Sequence, residues 1–358
     1  MSRFWSKGVD GLDPYVPGEQ PTIPDLIKLN TNESPYGPSP GVLEAVRGQA
    51  SDTLRLYPDP ESTALRDALA AYHGVRRANV FVGNGSDEVL GHVFAALLKH
   101  EAPLLLSDIT YGFYPVYCRL FGIHYETVPV DERLRIRVSD YRRSAGALII
   151  ANPNAQTGTA LGRADIVRLL DDHPDSPVVI DEAYVDFGGE TAAGLIEAYP
   201  NLVVVRTFSK SRAMAGLRLG YALADAGLIE ALVRIKNSFN SYPVGRVTQA
   251  AALASIADEA HFRETRDRIV GGRKKLTERL MQLGFDVVPS SANFVLARHP
   301  GYPGPELAAE LRKRAILVRT FPGPRIGDHV RITVGTDHDI ERLVAALSDL
   351  VSDAPRPG

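Results

Sequence analysis

From about residue 41 to 290, short aliphatic runs alternate with longer stretches whose apolar positions recur every three or four residues. The short runs, at 80–82, 104–106, 148–151, 178–181, 202–206 and 219–223, have the length and β-branched content of buried strands. Helical spacing falls between and after them, at 41–50, 62–73, 86–99, 163–171 and 227–239. Strands that are apolar throughout must be covered on both faces, so the alternation predicts an α/β fold with a mostly parallel sheet covered by helices. A long charged helix at about 258–283 leads into strand patterns at 285–288, 293–297, 315–319 and 330–334, with helices near 304–314 and 337–352. That tail reads as a smaller α+β unit. The first 40 residues hold seven prolines, from Pro14 to Pro40, and little periodicity, the mark of an extended arm laid over other structure. Three parts are therefore expected: an arm at 1–40 packing with the small domain, a large domain at 41–290 and a small domain at 291–358.

Composition narrows the function. The 358 residues are 44% hydrophobic and 23% charged, which suits a folded chain with a sizeable core. A net charge of -3 gives no general basic surface for nucleic acid. No apolar run reaches the roughly 18 residues of a spanning helix. The opening Met-Ser-Arg-Phe-Trp-Ser-Lys lacks the apolar core of a secretory signal, and Cys118 is the single cysteine, so a cytoplasmic protein is expected. The nine histidines show no metal-ligand spacing, and no metal is expected.

Candidate chemistry gathers where the strand patterns end. Ser209 and Lys210 follow the run at 202–206, and Arg218 comes shortly after. In open α/β sheets the crevice beyond the strands' carboxyl ends is where ligands bind. A hydroxyl and a guanidinium around an amine suit a phosphorylated carbonyl compound such as pyridoxal phosphate (PLP), with phosphate on Arg218 and Ser209 and aldehyde on Lys210. Asp181 ends the pattern at 178–181, where it serves either as a helix N-cap or as partner to a protonated pyridine nitrogen, and Tyr184 follows within donor range of the ring oxygen. Gly83-Asn84-Gly85-Ser86-Asp87-Glu88 opens a helix and offers backbone N–H groups to an anion. Its last position holds Glu88 where a dinucleotide fingerprint needs glycine, which leaves phosphate binding at Gly85, Ser86 and Asp87. Tyr111, just past the run at 104–106, is placed either to stack on a cofactor ring or to pack in the core. Arg319 and Arg331 lie on neighbouring strand patterns, and two converging guanidiniums would bind phosphate or carboxylate.

Thr207-Phe208-Ser209-Lys210 with Ala215-Gly216-Leu217-Arg218-Leu219-Gly220-Tyr221 resembles the lysine motif of fold-type I, class II aminotransferases. Lys28 to Pro38, Tyr57-Pro58-Asp59, Asp181-Glu182-Ala183-Tyr184 and the patterns around Arg319 and Arg331 follow in order, and together they resemble the histidinol-phosphate aminotransferase family. The resemblance implies PLP-dependent transamination of L-histidinol phosphate with 2-oxoglutarate in histidine biosynthesis. It makes Lys210, Asp181 and Tyr184 the catalytic set, and Tyr111 a residue stacked on the cofactor. It also implies a homodimer in which Tyr57 reaches the neighbour's cofactor phosphate. Arg319 and Arg331 become the substrate-anion clamp, with Ser34, Tyr36 and Tyr242 as further lining.

The chain departs from the pattern at Asn152-Pro153-Asn154-Ala155-Gln156-Thr157-Gly158, where the family's ring-oxygen asparagine aligns with Ala155. Alanine donates no hydrogen bond. The role is assigned to Asn154, the other options being Tyr184 alone or altered cofactor electronics. The competing activities are an aromatic amino-acid aminotransferase, a threonine-phosphate-type PLP decarboxylase and a PLP-binding regulatory module without turnover.

Overall fold

The computed structural model describes residues 2–352; Met1 and the last six positions of the expected small domain lie outside the described residues. In chain order the strands are β1 (Ile27–Lys28), β2 (Val80–Gly83), β3 (Leu104–Ser107), β4 (Tyr125–Val128), β5 (Ala147–Ala151), β6 (Val178–Asp181), β7 (Leu202–Thr207), β8 (Gly220–Ala224), β9 (Asp286–Val288), β10 (Phe294–Arg298), β11 (Ile316–Leu317) and β12 (Val330–Thr333). Seven form one sheet in the order β2-β8-β7-β6-β5-β3-β4. Strands β7, β6, β5, β3 and β4 run parallel, while β8 is antiparallel to both neighbours. The result is an α/β fold with the mostly parallel, helix-covered sheet that the apolar runs required.

The two-residue period of a strand divides these runs between two cores. On β7, Val203 and Val205 face one apolar cluster while Leu202 and Val204 face the other. Ile149 and Ile150 on β5 are split in the same way. Every residue of β7 is buried, as a central parallel strand demands.

The parallel pairing also brings chemistry to one edge. Strands β3, β5, β6 and β7 all end there, at Ser107, Ala151, Asp181 and Thr207. Gly220, at the start of antiparallel β8, pairs with both Thr207 and Gly83, so the turns after β2 and before β8 join the same rim. The close approach at that point requires glycine. A Cβ on Gly220 would stand 2.3 Å from the Ser86 backbone nitrogen, at the start of the helix Gly85–Leu97.

After the 24-residue helix Glu259–Gln282, β9, β10 and β12 form an antiparallel sheet in the order β12-β10-β9. The arm is tied to this part: β1 pairs in parallel with β11, and the Asn32 N–H donates to Thr333 Oγ1 at 3.0 Å.

Four elements escaped the periodicity. Tyr114–Phe121 is a helix although its aromatic and β-branched residues favour strand; Pro115 fits its first turn, and its buried side is Tyr114, Tyr117 and Cys118. Arg246–Ala257 is helical with alanines in place of a clear apolar stripe. The edge strand β4 leaves Glu126 and Thr127 exposed, and β1 has two residues. The pattern at 315–319 shortens to Ile316–Leu317 because Ala315 has a left-handed φ of 57°. Arg319 still reaches Arg331 through an isolated bridge.

Gly220→Ala should destabilise the fold by about 1–3 kcal/mol, since neither backbone at the contact can retreat without shifting β8 or the helix. Urea unfolding monitored by circular dichroism measures the change, and an unaltered midpoint would contradict the close approach.

Candidate active site

The rim encloses a cavity of about 780 Å³. Its floor and walls include Ser86, Asp87, Tyr111, Ala151, Ala155, Asp181, Tyr184, Ser209, Lys210 and Arg218 from the seven-stranded sheet and its turns. Arg319 and Arg331 enter from the other side, and Tyr15, Pro17, Gly18 and Asn30 to Asn32 from the arm. Most residues named from sequence are thus brought within one cavity by strands that end along one line.

Asp181 is 5% exposed. Its Oδ2 accepts from the Tyr114 hydroxyl at 2.8 Å and its Oδ1 from the Ala183 N–H at 3.1 Å. Among the described residues no cationic side chain pairs with it. Burial pushes the carboxyl up to about 6 from its ordinary 3.8, against the pull of those two donors. Tyr114, fully buried behind it, was not singled out from sequence; nothing in an isolated Tyr-Pro step signals a partner 67 residues away. Burial and the Asp181 carboxylate raise the Tyr114 hydroxyl well above its usual range, so it stays a donor.

Lys210 Nζ donates to the Thr31 carbonyl oxygen at 3.0 Å and lies 5.7 Å from the centroid of the Tyr184 ring. Its neighbour Ser211 donates to Asp186, which in turn pairs with Arg206 of β7. Arg206 also lies 3.9 Å from Glu182, so a buried ionic cluster fixes the turn that carries the lysine. Asp87 organises the next wall: it accepts from Tyr111 at 2.9 Å and from Arg218 at 3.2 Å. Gly85, with a φ of 84°, lets the Arg218 guanidinium lie where a Cβ would be, 2.6 Å from Nη2.

Arg331 donates to the carbonyl oxygens of Ala155 at 2.8 Å and Asn30 at 3.1 Å, while its buried Nε has no partner among the described residues. Burial lowers its proton affinity, and among the described residues no acidic side chain pairs with it. Arg319 holds the Val16 carbonyl oxygen at 3.3 Å. Arg319 and Arg331 thus bring two guanidinium groups to one wall of the cavity, a pairing that suits an anion.

Several sequence assignments are corrected by these positions. Asn154 is 1% exposed and turned away from the cavity: its Nδ2 donates to the Ile109 carbonyl oxygen at 2.8 Å, and its Oδ1 accepts from the N–H groups of Gln156 and Thr157. The amide is consumed by its own turn and cannot serve a ring oxygen. Ser34 and Tyr36 do not line the cavity either. Ser34 Oγ donates to the Tyr36 carbonyl oxygen, and the Tyr36 ring lies 4.0 Å beneath the Arg268 guanidinium. Tyr242 stacks on Tyr57 at 4.6 Å on the outside of the chain, where Tyr57 is 78% exposed. Of the Lys28 to Pro38 stretch it is Asn30, Thr31 and Asn32 that line the cavity, residues the resemblance did not distinguish.

A family profile described as Aminotransferase class I and II matches residues 24–347. This chain belongs to that family. It is 60% identical over 351 residues to histidinol-phosphate aminotransferase 2 of Rhizobium meliloti (strain 1021), covering 98% of this chain and 100% of the relative. It is 58% identical to histidinol-phosphate aminotransferase 2 of Thiobacillus denitrificans, covering 98% of each. Among solved structures, the histidinol-phosphate aminotransferase of Sinorhizobium meliloti in complex with pyridoxal-5'-phosphate superposes with a TM-score of 0.83 at 28% identity, over 91% of each chain. The Clostridium acetobutylicum enzyme of the same name superposes at 0.85 with 24% identity, over 92% of this chain and 100% of the other, a likeness of fold.

The environment of Asp181 makes a stability prediction. A carboxyl whose folded value is raised from 3.8 to about 6 stabilises the cofactor-free fold while protonated, and that contribution is lost as pH rises through about 6. Asp181→Asn should therefore stabilise the cofactor-free chain at neutral pH by on the order of 1–2 kcal/mol. Denaturation at about pH 4.5 and about pH 7.5 measures this; a variant less stable than the parent at the higher pH would refute it.

Proposed function

We propose that the chain catalyses PLP-dependent transamination of L-histidinol phosphate with 2-oxoglutarate, a step of histidine biosynthesis. The observation that carries the cofactor is Asp181, a buried carboxylate that pairs with no cationic side chain among the described residues and lines the same cavity as the Lys210 amine. That pair fits a ligand with a protonated ring nitrogen and an aldehyde. The glycine-built approach of Gly85 and Gly220 to Arg218 and Ser86 fits its phosphate.

In this reading Lys210 anchors PLP, and the Ser86 and Asp87 N–H groups hold the phosphate with Ser209 and Arg218. Tyr111, fixed by Asp87, would stack on the ring. Bound there, PLP supplies an electron sink for charge developing at the substrate's amino-bearing carbon. Asp181 keeps a proton on the ring nitrogen, and Tyr114 keeps Asp181 in place. Tyr184 donates to the ring oxygen. The Lys210 amine, Nζ, removes the proton at the amino-bearing carbon and returns one as general acid, with Thr31 and the Tyr184 ring limiting where it can swing. Arg331 and Arg319 bind the phosphate of one substrate and the carboxylate of the other in turn, which lets one clamp serve both half-reactions.

The same proposal includes a cytoplasmic homodimer. Tyr57 is 78% exposed, stacked on Tyr242, and free to enter the partner's cavity. Full-length kinship to histidinol-phosphate aminotransferases supports the substrate assignment.

Steady-state turnover of histidinol phosphate, phenylalanine and tyrosine with 2-oxoglutarate tests the reading. Histidinol phosphate should have the highest kcat/KM, and a preference for phenylalanine or tyrosine would overturn the substrate. Lys210→Ala should abolish both transamination and the visible absorbance of lysine-linked cofactor; retained turnover would remove Lys210 from its role. Arg331→Ala should raise KM for histidinol phosphate about 10- to 100-fold, the cost of one charge-assisted contact.

A further inference from the structure

Asn32 decides which way the proton of Tyr184 points. It is 1% exposed, and its carboxamide lies between Thr333 of β12 and Tyr184, which follows β6. The Asn32 N–H donates to Thr333 Oγ1 at 3.0 Å, so the single Thr333 hydroxyl proton is free to go to Asn32 Oδ1, also at 3.0 Å. Nδ2 then donates to the Tyr184 phenol oxygen at 3.0 Å. The reversed amide would make Thr333 accept twice and strand its own proton at a site 2% exposed, a buried donor without a partner. The satisfied arrangement is therefore the one in which the Tyr184 oxygen accepts from Asn32. A phenol that accepts on one side retains its own O–H to give. Among the described residues nothing receives that proton, and Tyr184 lines the cavity.

The opposite wall supplies no substitute. Asn154 is bound into its own turn, and Ala155 has no polar side-chain atom. The backbone oxygen of Asn32 accepts from Asn293 Nδ2 at 3.0 Å, so the main chain that carries the carboxamide is held from a third segment as well.

We propose that Asn32, held by Thr333, is a positioning residue that fixes Tyr184 as the hydrogen-bond donor to the ring oxygen of the cofactor, in place of the asparagine the chain lacks at Ala155. The inference rests on the PLP reading above. Asn32→Asp is nearly isosteric and reverses the key bond: Thr333 still donates to one carboxylate oxygen, while the other accepts the phenol proton and draws it away from the cavity.

The test is a pH titration of the visible absorbance of the purified holoenzyme, with thermal melting as the control for folding. A donor to an oxyanion lowers its proton affinity, so Tyr184→Phe and Asn32→Asp should each move the absorbance midpoint upward by about 1 unit. The double variant should move it no further than Tyr184→Phe alone. An unchanged midpoint in Asn32→Asp, or shifts that add in the double variant, would overturn the proposal; additive shifts would mean that the new charge acts directly. If Asn32→Asp does not fold, Thr333→Val decides: removing the hydroxyl that orients the amide should shift the midpoint in the same direction, and no shift overturns the proposal. A wild-type protein that binds no PLP would instead refute the functional reading itself, whereas normal holoenzyme with a silent Asn32→Asp would refute this inference alone.

Discussion

A carboxylate buried at the edge of a sheet with no cation beside it destabilises the chain that carries it unless something positive arrives. Asp181 is in that position, held by one phenol and one backbone N–H at the end of β6. The rest of the cavity is arranged in relation to it. The parallel strands put Lys210 and Ser209 one strand away, and the antiparallel β8 returns Arg218 to the same rim. Because the sheet is buried on both faces, these ends cannot drift relative to one another without opening two cores.

Charge is distributed around this cavity in two ways. Where the protein must hold its own backbone rigid, charges are paired, as Arg206 is with Asp186 and Glu182 beneath the lysine turn. In the cavity, Asp181 and Arg331 have no partner of opposite charge among the described residues. The two unpaired groups have opposite sign and come from the seven-stranded and the three-stranded sheets respectively. A ligand with a cationic ring and a substrate with an anionic group would join the two sides.

The arm also joins them. Its two-residue strand pairs with β11, Thr31 accepts from Lys210, and Asn32 links Thr333 to Tyr184. Residues that are adjacent in the chain thus serve three separate elements. Their side chains are short and polar, so little in their local sequence marks them, whereas Tyr36 in the same stretch is conspicuous and lies away from the cavity under Arg268.

The sequence by itself determined the strands and the chemistry at their ends. Apolar runs such as Val203-Val204-Val205 can be stable only inside a covered sheet, and a polar residue immediately after such a run must lie at its rim. Lys210 and Asp181 were legible for that reason, Ser86 from the glycine-rich start of its helix and Arg331 from its pairing with Arg319. The tertiary structure decided everything that depends on which distant groups meet. It consumed Asn154 in a turn, placed Tyr114 under Asp181, sent Tyr242 to the surface beside Tyr57, and gave Asn32 its three partners. Hydrogen bonds have direction and a reach of about 3 Å, so a residue's spacing along the chain says where its backbone lies while the partner that fixes its proton can come from any strand that folds against it.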